Sequence, residues 1–263
     1  MTTSSSHEAP ESVTAPTVSV ILAVLNEREN LPLLFDRLFI APLPSFEVVV
    51  VDDGSSDGTR EFLTDRARTE PRLRLIWHDG KQTTVRAQCQ GIAASRGEIV
   101  LVMDADLQHP PEVLPAMARA IDAGAGLVVG SRYATGGSAG HRSRMRGMIS
   151  RGAEVTAKLF LREARGLSDP VSGLFGFRRE LFRPLDPRWR GYKLLLFLLV
   201  MARDQRVVEV GYQFEERGSG ASKVTQDTRF IRFFLTELLL AKRLEDALRR
   251  PNALPPSPNP DAR

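Results

Sequence analysis

The chain has 263 residues, a formal net charge of +4 and a single cysteine, Cys89. One cysteine excludes an internal disulfide framework and is typical of a reducing compartment. With 42% hydrophobic and 26% charged residues, the composition is that of a globular protein with one large domain or two small ones. Only five of the 36 cationic side chains are lysines, and this arginine excess fits either genome composition or bidentate binding of phosphate or carboxylate.

The two ends of the chain differ from the middle in composition. Residues 1–16 are rich in Ser, Thr and Pro, and residues 251–263 contain five prolines, so we expect a disordered leader and a disordered tail. No segment has the apolar core of a secretory signal or the roughly 20 apolar residues that span a bilayer. The longest apolar runs, Leu194–Ala202 and Phe233–Ala241, are too short. We therefore expect a cytoplasmic protein whose association with a membrane, if any, is peripheral.

Strand-like and helix-like stretches alternate from residue 17 onward. Continuous apolar runs, typical of strands buried on both faces, predict strands at Val18–Leu25, Glu47–Val51, Leu73–Trp77, Ile99–Met103 and Leu127–Val129. Helical spacing of apolar residues predicts one helix capped by Asn30 and further helices at Thr59–Arg68, Val85–Ala94 and Glu112–Ala123. This alternation indicates an α/β domain with a mostly parallel sheet.

Residues 130–151 break the alternation, because they are rich in glycine and arginine and have almost no aliphatic pattern. We predict a mobile basic loop there that leads into a helix over Ala153–Leu161. Further strands are predicted at Gly173–Phe177 and Val207–Val210.

Polar side chains directly follow three of the predicted strands. Ligands of an open parallel sheet bind beyond the carboxyl ends of its strands, so acidic residues that converge on this edge indicate a site. The residues at these strand ends are Asn26, Glu27, Asp52, Asp53, Asp104 and Asp106.

Asp104 and Asp106 are two residues apart, a spacing that directs both carboxylates to one side of a strand end. Two neighbouring carboxylates repel each other unless a cation lies between them. Hard oxygen ligands favour Mg²⁺ or Mn²⁺, which keep some waters and take phosphate oxygens as further ligands. Gln108, two residues further on, is a candidate third ligand. We therefore expect Mg²⁺ or Mn²⁺ as cofactor.

Six segments carry a family resemblance. Residues 18–30, 51–59 and 104–112, with Val51-Asp52-Asp53-Gly54-Ser55 and Asp104-Ala105-Asp106-Leu107-Gln108-His109, resemble the family-2 glycosyltransferases of GT-A fold. Gly130-Ser131-Arg132-Tyr133, Asp169-Pro170-Val171-Ser172-Gly173 and the stretch from Glu209 to Lys223 are similar to those of dolichol-phosphate (polyprenyl-phosphate) mannose synthases. The resemblance covers residues 17–225 and implies a Rossmann-like GT-A domain over that range.

The resemblance also implies ligands and residue roles. The donor would be a nucleotide sugar, GDP-mannose in the mannose synthases, and the acceptor a polyprenyl phosphate. The nucleoside positions are Leu25, Glu27, Asp53 and Asp104. The metal and diphosphate positions are Asp104, Asp106 and Gln108. The candidate catalytic residues are Asp104, Asp106, Arg132, Arg217 and Lys223, and the candidate acceptor-phosphate residues are Arg132, Arg146 and Ser150.

A reaction mechanism follows from the chemistry of this acceptor. A phosphate monoester is already ionised at pH 7, so it needs cations to position it rather than a base to deprotonate it. A metal held by Asp104 and Asp106 would stabilise the charge that develops on the leaving diphosphate. We expect direct displacement with inversion and no covalent enzyme intermediate.

Three departures from the family's pattern leave alternatives open. Leu25 removes an aromatic packing partner of the nucleoside, residues 82–84 replace a Gly-Leu-Gly segment, and Phe197 stands where relatives often carry Glu. The same fold could use a UDP-sugar or another acceptor. The chain could also be an inactive scaffold or a binding subunit of a membrane glycosyltransferase complex. Nucleic acid is not an expected partner, because aromatic–basic interleaving and a recognisable nucleic-acid module are missing.

Residues 226–250 combine many apolar side chains with flanking cations such as Arg229, Arg232 and Lys242. This pattern predicts an amphipathic C-terminal helix. The helix could lie in a membrane interface, pack on the domain's own core, or form a dimer seam. The expected partners are thus a nucleotide-sugar donor, a polyprenyl-phosphate acceptor and a membrane surface, with or without a separate membrane-embedded subunit.

Some single residues have a structural interpretation. We expect Asp57 to cap a helix, Cys89 to be a small buried residue and Trp189 to pack in the core. His109 belongs to no pair with metal-ligand spacing.

Overall fold

The computed structural model describes residues 15–80, 82–140, 144–189, 191–216, 218 and 229–249, and for residues 144–146, 229 and 230 the backbone only. One sheet contains seven strands: β1 Val18–Val24, β2 Phe46–Asp52, β3 Leu73–Trp77, β4 Ile99–Asp104, β5 Leu127–Ser131, β6 Phe175–Arg178 and β7 Val207–Gly211. The helices are α1 Leu31–Phe39, α2 Thr59–Thr69, α3 Thr84–Ala94, α4 Leu114–Asp122, α5 Arg144–Phe160, α6 Leu194–Met201 and α7 Arg229–Leu248. Two single 3₁₀ turns lie at Pro111–Val113 and Arg179–Leu181.

The strand order is β3-β2-β1-β4-β6-β5-β7. Strand β6 is antiparallel to both of its neighbours, and every other adjacent pair is parallel. The expected α/β fold with a mostly parallel sheet is therefore confirmed. In the register of the central strands, Val24 pairs with Asp52 and Ala23 pairs with Asp104, so β1, β2 and β4 end at the same level.

Helices cover both faces of the sheet. On one face α1, α2 and α4 bury side chains such as Phe35, Leu63 and Met117, and on the other α3, α5, α6 and α7 bury side chains such as Ala157 and Leu238. Helix α6 is apolar on all sides, and residues 194–200 are all buried. An apolar run of this length thus forms a core helix, as expected of a helix without a polar face.

Two local predictions are wrong. The predicted loop extends only to residue 143 at most, because α5 begins at Arg144. Its apolar side chains Met148, Val155 and Leu159 recur at helical spacing, and the Ser150 hydroxyl donates to Glu154 one turn later at 3.2 Å. Asn30 precedes α1 but does not cap it, since its backbone is already helical and its side-chain amide donates to Glu27 at 2.6 Å.

The C-terminal helix α7 packs on the core with one face and exposes a second apolar stripe. Phe234 and Leu238 are buried, whereas Ile231, Leu235 and Leu239 are 65%, 44% and 51% exposed. In the described part of the chain, none of the helices combines the length and the hydropathy needed to cross a bilayer. The predicted disordered leader and tail fall almost entirely outside the described residues.

Candidate active site

The acidic strand ends of β1, β2 and β4 lie together at the carboxyl edge of the sheet. Since β1 lies between β2 and β4 and the three strands end in register, residues 25–27, 52–53 and 104–106 are neighbours. Neighbouring strands are about 4.8 Å apart, so this part of the edge is about 10 Å wide. The structure therefore brings together the residues for which the family resemblance implies a nucleoside role and the carboxylates predicted to bind the metal.

At β1 and β2, the turn after β1 is hydrogen-bonded to the turn after β2. Asn26, with φ of +54°, donates through its N–H to the Ser55 hydroxyl at 2.8 Å, and its side-chain oxygen accepts from the N–H of Ser56 at 2.8 Å. The N–H of Glu27 donates to the Thr59 hydroxyl at 3.1 Å. Only 8% of Glu27 is exposed. Leu25 precedes these residues and is partly buried.

Asp53 fixes the segment that leads into α3. One of its carboxylate oxygens accepts from the N–H of Gln82 at 2.8 Å and lies 3.4 Å from Nδ1 of His78. The Thr83 side chain caps α3 by accepting from the N–H of Arg86 at 3.5 Å. Residues 82–84, which depart from the family's pattern, thus form a helix cap directly beside Asp53.

The neighbouring Asp52 and Asp57 serve the local structure. Asp52 is fully buried, and its Oδ1 accepts from Nε of Arg60 at 2.7 Å. The Asp57 carboxylate accepts from the N–H of Thr59, the first residue of α2, at 3.1 Å, but the N-cap position of α2 is occupied by Gly58 rather than by Asp57 as predicted. Burial acts to raise the pKa of Asp57, but hydrogen bonds from Thr59 and Arg28 lower it.

The candidate metal ligands follow β4. Asp104 is the last residue of that strand, and 46% of its side chain is exposed. Asp106 is 6% exposed, and its Oδ1 accepts from the N–H of Gln108 at 3.1 Å. Leu107, between Asp106 and Gln108, has a left-handed backbone with φ of +67°. The structure therefore places Asp104, Asp106 and Gln108 around one short turn.

His109 supports this turn from inside. It is 3% exposed, and its Nδ1 accepts from the N–H of Asp104 at 3.1 Å. Burial lowers the pKa of His109 to about 4, against the opposing effect of the Asp106 carboxylate. The ring is therefore neutral at pH 7 with its proton on Nε2. Its ring packs in T-shaped contacts with the rings of Tyr212 and Phe214.

The donor atoms at this turn fit a hard divalent cation. Two carboxylates and one amide oxygen are the ligand types that Mg²⁺ and Mn²⁺ prefer, and Nδ1 of His109 is already used by a backbone N–H. Among the described residues, no three His, Cys, Asp or Glu side chains lie together as a metal cluster. The remaining ligands of a cation at Asp104 and Asp106 would therefore be Gln108, water and substrate phosphate oxygens.

A buried ion pair lies at β5, on the side of β4 opposite to β1. Nε and Nη2 of Arg132, which directly follows β5, donate to the two oxygens of Asp169 at 2.6 and 2.7 Å. Asp169 is fully buried and Arg132 is 9% exposed. Burial acts to lower the pKa of Arg132, but the Asp169 carboxylate raises it, so the guanidinium is permanently charged.

Helix α5 contributes to the same cluster. Nη2 of Arg132 also lies 3.4 Å from the Ser150 hydroxyl and 3.7 Å from the Glu154 carboxylate. The structure thus joins two of the three candidate acceptor-phosphate residues. The third, Arg146, lies one helical turn before Ser150, and its side chain is outside the described residues. Arg217 and Lys223 are also outside the described residues, so their roles stay predictions.

Glu209 on β7 holds the loop that carries Asp169. Its carboxylate accepts from the N–H of Ser168 at 2.8 Å, the hydroxyl of Ser168 at 2.8 Å and the N–H of Asp169 at 2.9 Å. The Ser168 hydroxyl also lies 2.6 Å from the hydroxyl of Ser131, the residue before Arg132. The orientation of Asp169, and through it that of Arg132, is therefore fixed by the last strand of the sheet.

Sequence reasoning assigned no role to three side chains near the site. Asp169 is part of a quoted motif, Lys193 is one of only five lysines and precedes an apolar run, and Glu237 interrupts another. These features are the sequence signals that mark the three side chains. Lys193 is partly buried, and its Nζ donates to the carbonyl of Val171 at 2.5 Å. Phe197, the third departure, is buried edge-on against the ring of Trp189.

A comparison with protein families decides the family of this chain. The model described as glycosyl transferase family 2 matches residues 19–185, which contain most of the site. The chain belongs to glycosyl transferase family 2. The expected membership of the family-2 glycosyltransferases is therefore confirmed.

This family-2 chain is similar to several polyprenyl-phosphate mannose synthases. It is 38% identical over 214 residues to the dolichol-phosphate mannosyltransferase of Pyrococcus furiosus, covering 81% of this chain and 60% of that protein. It is 35% identical over 238 residues to the polyprenol monophosphomannose synthase of Mycolicibacterium smegmatis, covering 87% and 89%. The dolichol-phosphate mannosyltransferase of Saccharomyces cerevisiae is 32% identical over 219 residues, covering 79% and 80%. The narrower resemblance to this group is thus confirmed as well.

Solved structures agree on the fold. The crystal structure of glucosyl-3-phosphoglycerate synthase from Mycobacterium tuberculosis aligns with a TM-score of 0.66 at 22% identity, covering 87% of this chain and 80% of that one. At this level of identity the likeness shows the fold alone. The GT-A-like architecture expected from the sequence is confirmed.

Proposed function

We propose that this family-2 chain transfers a mannosyl unit from GDP-mannose to a polyprenyl phosphate, with Mg²⁺ or Mn²⁺ bound at Asp104 and Asp106. The observation that carries the proposal is the order of groups along one sheet edge. Asp53 and Glu27 follow β2 and β1, the Asp104–Asp106 pair follows β4, and Arg132 follows β5. Nucleoside, diphosphate with metal, and acceptor phosphate would occupy these positions in that order.

The dimensions of the edge support this assignment. Strands β2 and β5 are four strand spacings apart, or about 19 Å at 4.8 Å per strand. An extended nucleoside diphosphate sugar followed by a phosphate is of that order of length. The carboxylate pair lies two spacings from β2 and two from β5, and so midway between the two ends.

In the proposed reaction, an oxygen of the polyprenyl phosphate forms a bond to C1 of the sugar while the C1–O bond to GDP breaks. The electron pair leaves with GDP, and configuration at C1 is inverted because a single displacement occurs. The divalent cation, when bound, supplies the charge that stabilises the leaving diphosphate. No residue has to remove a proton, since the attacking phosphate is already ionised.

Arg132 is the group we assign to the acceptor phosphate. Its charge is permanent and its orientation is fixed by Asp169, so it loses little conformational freedom when a phosphate binds. Nε and Nη2 are bonded to Asp169 and Ser150, and Nη1 is the donor that we assign to the phosphate. Arg146, Arg217 and Lys223 would supply the remaining positive charge.

The names of the relatives support mannose and a lipid phosphate as substrates of this chain, and the relatives from Mycolicibacterium and yeast align over at least 80% of their length. The Mycobacterium tuberculosis synthase was crystallised with Mn²⁺, UDP-glucose and phosphoglyceric acid. That complex is consistent with a divalent cation and a nucleotide-sugar donor in a GT-A fold.

We further propose that the protein docks peripherally on the cytoplasmic face of a membrane. Helix α5 packs against α7, and together they expose large apolar side chains that include Met148, Leu159, Ile231, Leu235 and Leu239. Helix α5 also carries Ser150 beside Arg132. A lipid tail that lies along this surface would thus begin next to the proposed acceptor-phosphate site. Vesicle flotation without and with an added membrane-embedded subunit tests whether the surface binds lipid unaided.

Product analysis tests the proposed reaction. Purified protein should convert GDP-mannose and a short polyprenyl phosphate into polyprenyl-phosphate mannose and GDP. NMR of the product should show inverted configuration at C1, and UDP-glucose should give no product. Product from a UDP-sugar alone would overturn the donor assignment. Nucleotide binding without transfer to any acceptor would favour a binding subunit instead of an enzyme.

A further inference from the structure

One buried carboxylate connects α7 to the candidate site. Glu237 is 1% exposed and accepts hydrogen bonds from three consecutive backbone N–H groups, those of Gly191 at 3.0 Å, Tyr192 at 3.2 Å and Lys193 at 3.2 Å. A Cβ on Gly191 would lie within 2.8 Å of three atoms of that carboxylate, so a larger residue there would displace it. Successive N–H groups that converge on an anion make a well-defined cradle. The turn at 191–193 is therefore shaped around Glu237.

Lys193 links the turn held by Glu237 to the loop that carries Asp169. Its Nζ donates to the carbonyl of Val171 at 2.5 Å, in the loop that runs from Asp169 to Gly173. Burial and the charge of Arg132 lower the pKa of Lys193, and the carboxylates of Asp104, Asp169 and Glu237 oppose that effect. The partly buried ammonium group thus lies among the charged groups of the site.

The loop held by Lys193 contacts both halves of the proposed site. At one end Asp169 binds Arg132, the residue assigned to the acceptor phosphate. At the other end Gly173 packs against the metal-ligand turn, where a Cβ would lie 2.9 Å from Oδ2 of Asp104 and 3.0 Å from Cε1 of His109. A displacement of this loop would therefore move Arg132 relative to Asp104.

We propose that Glu237 and Lys193 are a pair of positioning residues that couple the lipid-facing helix α7 to the acceptor side of the active site. The proposal rests on the proposed function, which names the substrates. It adds a series of contacts through which lipid binding at α7 would affect the position of Arg132. In this series, Glu237 fixes the 191–193 turn, Lys193 fixes Val171, and the 169–173 loop sets the distance from Arg132 to the metal turn. The nucleoside positions at Asp53 and Glu27 lie outside it.

A double-mutant cycle separates this role from simple stabilisation of the fold. Glu237→Gln replaces one acceptor oxygen by a donor NH₂ group, so at least one of the three N–H bonds is lost. Lys193→Met removes the bond to Val171 with little change in volume. Asp246→Asn is the matched control, because Asp246 is a half-exposed carboxylate on the same helix that pairs with Lys242, one turn earlier, at 2.8 Å.

We expect each single variant to lower kcat for polyprenyl phosphate about tenfold, with the KM for GDP-mannose unchanged and the control equal to wild type. The double variant should be no slower than Lys193→Met, since Glu237 acts through Lys193. Effects that multiply in the double variant would overturn the proposal, as would wild-type kcat in Glu237→Gln.

Amide hydrogen exchange on the full-length chain tests the coupling without any transfer assay. Both single variants should speed exchange at residues 171–173, and Asp246→Asn should not. If wild type transfers no sugar to any polyprenyl phosphate, the proposed function fails while the exchange data still decide the coupling. If transfer occurs and exchange at 171–173 is unchanged in both variants, the coupling fails and the function stands.

Discussion

Replacing Asp169 by alanine should cost far more stability than removing an exposed carboxylate. Asp169 is fully buried and forms a bidentate pair with Arg132, which is 9% exposed. Removing one partner leaves a buried unpaired charge, which costs about 3–5 kcal/mol. For a domain of this size each kcal/mol lowers Tm by about 2–4 °C, so Asp169→Ala should lower Tm by roughly 6–20 °C.

The assay is thermal and urea unfolding followed by circular dichroism. The control is Asp65→Ala, because Asp65 pairs with Arg68 on α2 with both side chains more than 70% exposed. Such a surface pair contributes about 0–1 kcal/mol, and its loss should barely move Tm. The double variant Arg132→Met/Asp169→Leu removes both charges and should recover most of the lost stability while transferring no sugar. Equal shifts in Asp169→Ala and Asp65→Ala would show that the buried pair contributes no more than a surface pair, and additive losses in the double variant would contradict the cost of an unpaired buried charge.

Four further outcomes are expected. Asp106→Ala should abolish metal-dependent transfer, measured with radiolabelled donor, and near-normal turnover by this variant would contradict the metal assignment. Burial raises the pKa of Glu237 to about 7, so the folded state keeps a proton that the unfolded state loses. Stability should therefore fall by about 3 kcal/mol as pH rises from about 4.5 to 7, and urea titrations of Glu237→Gln should lack this fall. Cys89 is partly buried, and burial raises its pKa to about 12, so a thiol reagent at pH 8 should label Cys89 much faster after unfolding than before. Replacing Leu235 and Leu239 by glutamate should abolish flotation with anionic vesicles without lowering Tm.

The sequence predicts those parts of this molecule whose signal is local. The buried strands are apolar runs, and the acidic residues of the edge follow them directly, so Asp53, Asp104 and Asp106 could be placed in one site before the structure was known. The family resemblance added Arg132 and Ser150, which the structure brings within 3.4 Å of each other.

The remaining parts depend on contacts between residues far apart in the chain. Glu237 meets residues 191–193 more than 40 positions away, and Asp169 meets Arg132 at a separation of 37. No local pattern marks such pairs. The start of α5 was missed because glycines and arginines mask the helical spacing of its few apolar residues. His109 looked isolated because its partner is a backbone N–H rather than a second side chain.

Metal-dependent mannosyl transfer is tested most directly with radiolabelled GDP-mannose, a short polyprenyl phosphate and the purified 263-residue chain, measured before EDTA, after EDTA and after restoring Mn²⁺. Lipid-bound label is expected in the first sample, none in the second and recovery in the third. Transfer that persists in EDTA, or label that never reaches the lipid although GDP binds, would contradict metal-dependent mannosyl transfer.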